Sequence, residues 1–209
     1  MADFEELCAH VATMTNRPEL ASQITLEVQN ATSRAHLIDF WLRDRHEKVV
    51  TFDQNASAFQ MDMSIELERF RKFVYIKPFD PATGLPITIG EKETLEEVSP
   101  DKLFTAVRGM KTDCFYMAGN MCNIKTSVLC YAFLVGWYKY PPIAIGKYSS
   151  WIAEMMPFVI EEEAAGKILC KTGMVEEGNK LLNKLMVIEG REGENLHLLR
   201  INEVEAMAR

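Results

Sequence analysis

No long apolar run is present in this sequence: the longest, from Leu129 to Tyr138, is about half of the roughly 20 residues that a membrane-spanning helix requires, which argues against a helical membrane protein. A phosphate loop is missing as well. Gly146-Lys147-Tyr148 supplies a Gly-Lys pair, but Pro141 stands five positions before Gly146 and neither Ser nor Thr follows Lys147. No Gly-x-Gly-x-x-Gly follows an expected strand, so dinucleotide-binding enzymes drop out too. Paired, closely spaced cysteines are lacking: Cys8, Cys114, Cys122, Cys130 and Cys170 are odd in number and lie at wide spacings with no secretory signal ahead of them, which argues against a disulfide framework and for synthesis in a reducing cytoplasm. Positive charge is in deficit. With 23 basic and 30 acidic residues, and a net charge of -7, the chain is no candidate for coating nucleic acid, which requires clustered cations to displace counterions.

What is present is an ordinary globular composition: 209 residues, 48% hydrophobic and 25% charged. A chain of this size buries roughly 70% of its unfolded surface as one domain, without metals or disulfides to hold it. Phe4, Leu7, Cys8, Val11 and Met14 recur at helical steps between Asp3 and Thr15. Pro18 suits the first turn of a second helix, capped by Asn16 or Arg17 and carrying Leu20, Ile24, Val28, Ala31, Ala35 and Ile38 to about Phe40. Lys48 to Asp53, Phe59 to Ser64 and Phe70 to Lys77 read as three short strands, and Asp80 to Pro86 as a turn. Asp113 to Ala118, Met121 to Thr126 and Val128 to Tyr140 read as three more, with a hairpin at Gly119-Asn120 and Pro141-Pro142 ending the sheet. Between these groups, Ser99-Pro100 opens a short helix over Leu103 to Val107 within a variable excursion from Asp80 to Met110.

Beyond the sheet, Ser149 or Ser150 caps a helix bearing Trp151, Ile152 and Met155. Pro157 opens another with Ile160, Ala164, Ala165, Ile168 and Leu169 on one stripe, which Gly173 stops. Leu181, Leu182, Leu185, Met186 and Ile188 populate the next, and Leu196 to Ala208 form a last one. The expected fold is therefore α+β, one domain over residues 1–209. N- and C-terminal helices (1–45 and 149–209) form a bundle, with an inserted antiparallel β region at about 48–140.

Few residues offer chemistry. The eight-residue gaps between Cys114, Cys122 and Cys130 match no zinc clip, and free cysteine is among the most buried residue types. None of His10, His36, His46 and His197 falls in a His-x-x-x-His or His-Glu-x-x-His pattern. His36 invites a general-base reading, but it has no nucleophile nearby in sequence, so it reads as a hydrogen-bonded structural histidine. Glu161-Glu162-Glu163 reads as favourable charge near a helix N-terminus, and Arg43-Asp44-Arg45 as a solvated or inter-subunit charge cluster. The reading is of no catalytic residue, no cofactor and no metal.

Two stretches resemble a known family. Leu7 to Asp44, with Thr15-Asn16-Arg17-Pro18-Glu19-Leu20 leading into a helix bearing Ala31-Thr32 and Ala35-His36 and ending Asp39-Phe40, resembles the opening of the head-to-tail adaptor (connector) proteins of tailed bacteriophages. Trp151-Ile152, Pro157, Ile160, Ala164-Ala165, Lys167-Ile168-Leu169, Gly173 and Leu199 to Glu203 around Asn202 resemble the same proteins' C-terminal helices, so that roughly half the chain is covered. The resemblance implies a structural protein of the virion neck, made in the host cytoplasm. It implies a homo-oligomeric ring between the portal protein and a tail or nozzle protein, with no membrane contact, continuing a channel through which genomic DNA passes without sequence-specific binding. Within that reading, Leu198, Ile201, Val204 and Met207, at three-residue steps, form a portal-docking stripe. From another class comes a small cytosolic hydrolase or transferase using an unrecognised Cys or His. A cytosolic assembly factor shares every feature of the first reading and differs only in where it ends up.

Overall fold

A computed structural model describes residues 4–38, 40–90, 92–100, 111–141 and 150–184. The fold is α+β. Six α-helices and a six-stranded sheet are seen among the described residues, with the sheet central in chain order. The chain divides into two compact units, one from Met1–Asp44 with Pro141–Arg209 and the other from Arg45–Tyr140.

The first unit is helical. α1 (Phe4–Thr15) and α2 (Ala21–Leu37) flank a 3₁₀ turn at Pro18–Leu20, so the second helix begins three residues later than its proline indicates. α4 (Trp151–Met155), α5 (Pro157–Lys171) and α6 (Val175–Lys184) complete it. α5 is the hub, packing on α1, α2, α4 and α6. The expected stripes become its core: Leu7 and Val11 from α1, Ile24, Val28, Ala31 and Ala35 from α2, and Ile160, Ala164, Ala165 and Ile168 from α5. Met14 and Ile38, placed on those stripes by periodicity, are exposed instead. Gly173 takes φ +90°, the left-handed conformation that terminates a helix at low steric cost for glycine.

α5 and α6 approach closely because two glycines meet. A Cβ on Gly178 would lie 2.5 Å from Cys170 Sγ and 2.6 Å from the Gly166 carbonyl oxygen, and one on Gly166 would lie 2.8 Å from Leu182 Cγ. Glycine inside α6 weakens the helix by roughly 0.5–1 kcal/mol relative to alanine. It is retained where no side chain fits.

The second unit is built on two long strands. β1 (Arg45–Asp62) and β6 (Met121–Lys139) pair antiparallel from Arg45↔Tyr138 to Asp62↔Met121. β2 (Phe70–Asp80) also pairs with the C-terminal half of β6, and β5 (Cys114–Ala118) with its N-terminal half, so both lie on the edge of β6 away from β1. The two-residue strands β3 (Leu85–Pro86) and β4 (Glu96–Glu97) end the sheet. β4 pairs with β5 in parallel, so the sheet is mixed and not the wholly antiparallel one expected. Gly119 supplies positive φ at the first turn position of the β5–β6 hairpin, as a II′ turn requires.

Segments expected as separate strands are single bent ones. Lys48 to Asp53 and Phe59 to Ser64 belong largely to β1, its continuation at Met63–Glu66 being a short helix, α3, which Asp62 caps by accepting from Ser64 N at 2.9 Å. Met121 to Thr126 and Val128 to Tyr140 belong to β6. Both strands change their inward phase where their register shifts twice, between Thr51 and Ala56 and between Ala56 and Ala58 of β1. Val50 and Phe52 face the core before the shifts and Phe59 and Met61 after them, while in β6 Cys122, Ile124 and Cys130 give way to Phe133, Val135 and Trp137. The rings of Phe52, Phe59 and Phe133 fill the bend, with centroids 4.7–5.9 Å apart.

Candidate functional site

The structure brings His36 into a buried polar chain that its sequence neighbours do not show. His36 lies in the last turn of α2, Asp44 ends a 3₁₀ turn at Leu42–Asp44, and Ser150 caps α4. His36 Nδ1 is 2.8 Å from Asp44 Oδ2, and Nε2 is 2.8 Å from Ser150 Oγ. A carboxylate only accepts, so Nδ1 carries a proton and donates to Asp44; in the neutral ring Nε2 accepts from the Ser150 hydroxyl. The order of donors is that of a serine nucleophile, its base and an orienting acid.

The chain is closed at every member. Asp44 Oδ1 accepts from Trp151 Nε1 at 2.9 Å, and Ser150 Oγ accepts from Ala153 N at 3.3 Å as the α4 cap. His36 and Ser150 are each 2% exposed and Asp44 8%. The Trp151 ring stands edge-on to both His36 and Trp41, at 6.0 and 6.1 Å between centroids, and Arg43 stacks over it at 5.7 Å. Asp44 is therefore a buried network member and not part of a solvated charge cluster. The two anchors of His36, Asp44 and Ser150, come from the two chain segments that make up the helical unit. Leaving a buried partner unpaired costs about 1–3 kcal/mol, so the arrangement ties both segments to α2.

Glu161 and Glu163 do not serve the α5 N-terminus. They lie beyond its first turn and reach other side chains: Glu161 pairs with His10 of α1 at 2.8 Å, and Glu163 with Arg34 of α2 and with Lys167 at 3.2 Å. Buried Glu27 completes the α2–α5 ladder with Lys171 at 2.6 Å. These are interhelical clasps, unreadable from one helix at a time.

The thiols of the sheet are sealed. Cys114, Cys122 and Cys130 are all buried; burial pushes the Cys122 thiol up to about 12, the Cys130 thiol up to about 11, and that of Cys114 upward as well. A raised thiol holds its proton and is a poor nucleophile. Among the described residues no group of three or more His, Cys, Asp and Glu side chains could hold a metal ion, and no helix is long and apolar enough to cross a membrane. The stripe of Leu198, Ile201, Val204 and Met207, Tyr148, and the helix over Leu103 to Val107 lie outside the described residues. Comparison with known protein families and with curated proteins finds nothing that matches this chain.

Proposed function

We propose that this chain is a non-enzymatic structural protein of the phage neck. Copies of it form a ring between the portal and the tail that continues the DNA channel, and helices from both ends of the chain make the body from which the β region is inserted. The observation that carries the non-enzymatic part is the closure of the His36 chain. Ser150, His36 and Asp44 are at most 8% exposed, and the Ser150 oxygen also serves as the α4 cap, so the hydroxyl is withheld from a substrate. The resemblance of both helical ends to head-to-tail adaptors supports the neck assignment, and Leu198, Ile201, Val204 and Met207 are its portal-docking stripe. Removing residues 194–209 is expected to abolish portal binding and leave the described core folded, read by pull-down and circular dichroism. Unchanged portal binding would refute the docking stripe.

A second reading, a small hydrolase, draws on one observation: the Ser150–His36–Asp44 order of hydrogen bonds at 2.8 Å. It requires Ser150 to meet substrate in the folded chain. Labelling of Ser150 by a fluorophosphonate probe, lost in His36→Ala, would establish that reading, and an unlabelled folded chain would remove it.

A further inference from the structure

One face of the β1–β6–β2 half-sheet carries a mixed charged and aromatic surface. The pairing places Arg45 opposite Tyr138 and Tyr138 opposite Lys72, then Glu47, Gly136 and Tyr75 in one row, then Val49, Leu134 and Lys77 in the next. Directly paired residues point the same way, so these three rows share the face opposite to Trp137, Val135 and Phe133. Gly136 lets the Tyr75 ring lie flat across the central strand; a Cβ there would come within 2.8 Å of it. Tyr75 thereby reaches over β6 and donates its hydroxyl to Glu47 of β1. Arg45 and Lys77 stand over the same ring, at 5.1 and 5.2 Å from its centroid, and Lys77 pairs with Glu93 at 3.0 Å.

The charge of the chain is divided unequally. By sequence, residues 45–140 hold twelve basic and twelve acidic side chains, so the whole net charge of -7 belongs to residues 1–44 and 141–209. The face is thus a tyrosine-centred surface of three cations and two carboxylates on a neutral unit of a chain whose other unit is acidic. Arg and Tyr are the residue types enriched in interface cores. Glu47 and Glu93, set among the cations, would repel a polyanion such as DNA but can pair with the helical unit, whose 18 acidic side chains are interspersed with 11 basic ones.

We propose that this face, centred on Tyr75 and carrying Arg45, Lys72 and Lys77, binds the acidic helical unit of a second copy of this chain. Such a contact is heterologous, joining different surfaces of successive copies, and closes into a ring when the rotation permits. The inference rests on the ring reading above and names the surface that makes the ring.

The test is the mass of the full chain by sedimentation across concentration at low and high salt. Association at low salt, weakened by added salt, is expected. Arg45→Glu with Lys77→Glu should weaken it by at least about tenfold, because like charges then face each other. A second variant, with Glu5, Glu154, Glu176 and Glu177 changed to Lys, should also fail to associate alone. Mixing the two variants restores every contact, since each reversed face meets a reversed partner. Circular dichroism confirms that both are folded. Wild-type association by the first variant, no association of the wild type at any concentration, failure of the mixture to associate, or duplex DNA binding to the face without self-association would each overturn the inference. Portal binding that survives in the first variant at unchanged stoichiometry would overturn it and leave the neck reading standing. Self-association without portal binding would do the reverse.

Discussion

Ser150 carries two duties that a single substitution separates from any chemistry. Ser150→Ala removes the α4 cap and leaves His36 Nε2 buried without its hydroxyl, so it is expected to cost about 1–3 kcal/mol, seen as a lower denaturant midpoint with an unchanged slope. A neutral effect would mean that the network is not stabilising the helical unit. The buried thiols give a pH dependence of definite sign. An unfolded cysteine titrates near about 8.5, whereas Cys122 and Cys130 are pushed up to about 12 and about 11. Below the unfolded value both states keep the proton and there is no effect. Above it the unfolded chain releases it first, so stability falls as pH rises toward the folded values. Melting between pH 7 and 10 should therefore be steeper for the native chain than for Cys122→Ala with Cys130→Ala. In the folded chain at pH 8, iodoacetamide is expected to spare Cys114, Cys122 and Cys130; prompt labelling of any of the three would contradict their sealed state. His36 was legible as a structural histidine, but its partners lie 8 and 114 residues away, and no local pattern joins them. Ser150 was visible only as a cap.

At the scale of elements, the helices were legible because each buries one stripe, and the period survives in the sequence. The long strands were not. Period-two alternation breaks wherever a strand changes its inward face, and one bent strand then reads as two. In β1 the inward set moves from even positions to odd ones between Phe52 and Phe59, and in β6 it makes the matching move between Cys130 and Phe133. Residues flanking such an irregularity carry strand propensity on both sides, and nothing local tells a bend from a turn. The parallel β4–β5 contact escaped for another reason, being only two residues long. The helical hairpin of α5 and α6 depends on bare backbone at Gly166 and Gly178. Gly178→Ala places a methyl against the Gly166 carbonyl and Cys170, and overpacking of this kind costs about 1–3 kcal/mol. Limited proteolysis should then cut within residues 172–184 while α1, α2 and α5 resist. An unaltered cleavage pattern would show that α6 accommodates the methyl without moving.

For the whole molecule, the sequence bears a neutral segment of 96 residues, 45–140, inside an acidic remainder, a division that a single net charge conceals. The His36 chain ties the two chain segments of the helical unit together, and large apolar side chains such as Ile65, Leu129 and Leu85 stay at least 63% exposed on the β unit. Exposed apolar area on a small chain is economical when other copies or partners cover it. In the proposed ring, contacts with other copies, the portal and the tail would cover such surfaces. The proposed ring-forming role in the neck is tested by the mass of the chain in light scattering, alone and after mixing with the portal ring of the same phage. A large complex of fixed stoichiometry, with several copies added to each portal ring, is expected. A chain whose mass is indifferent to the portal at every ratio would contradict it.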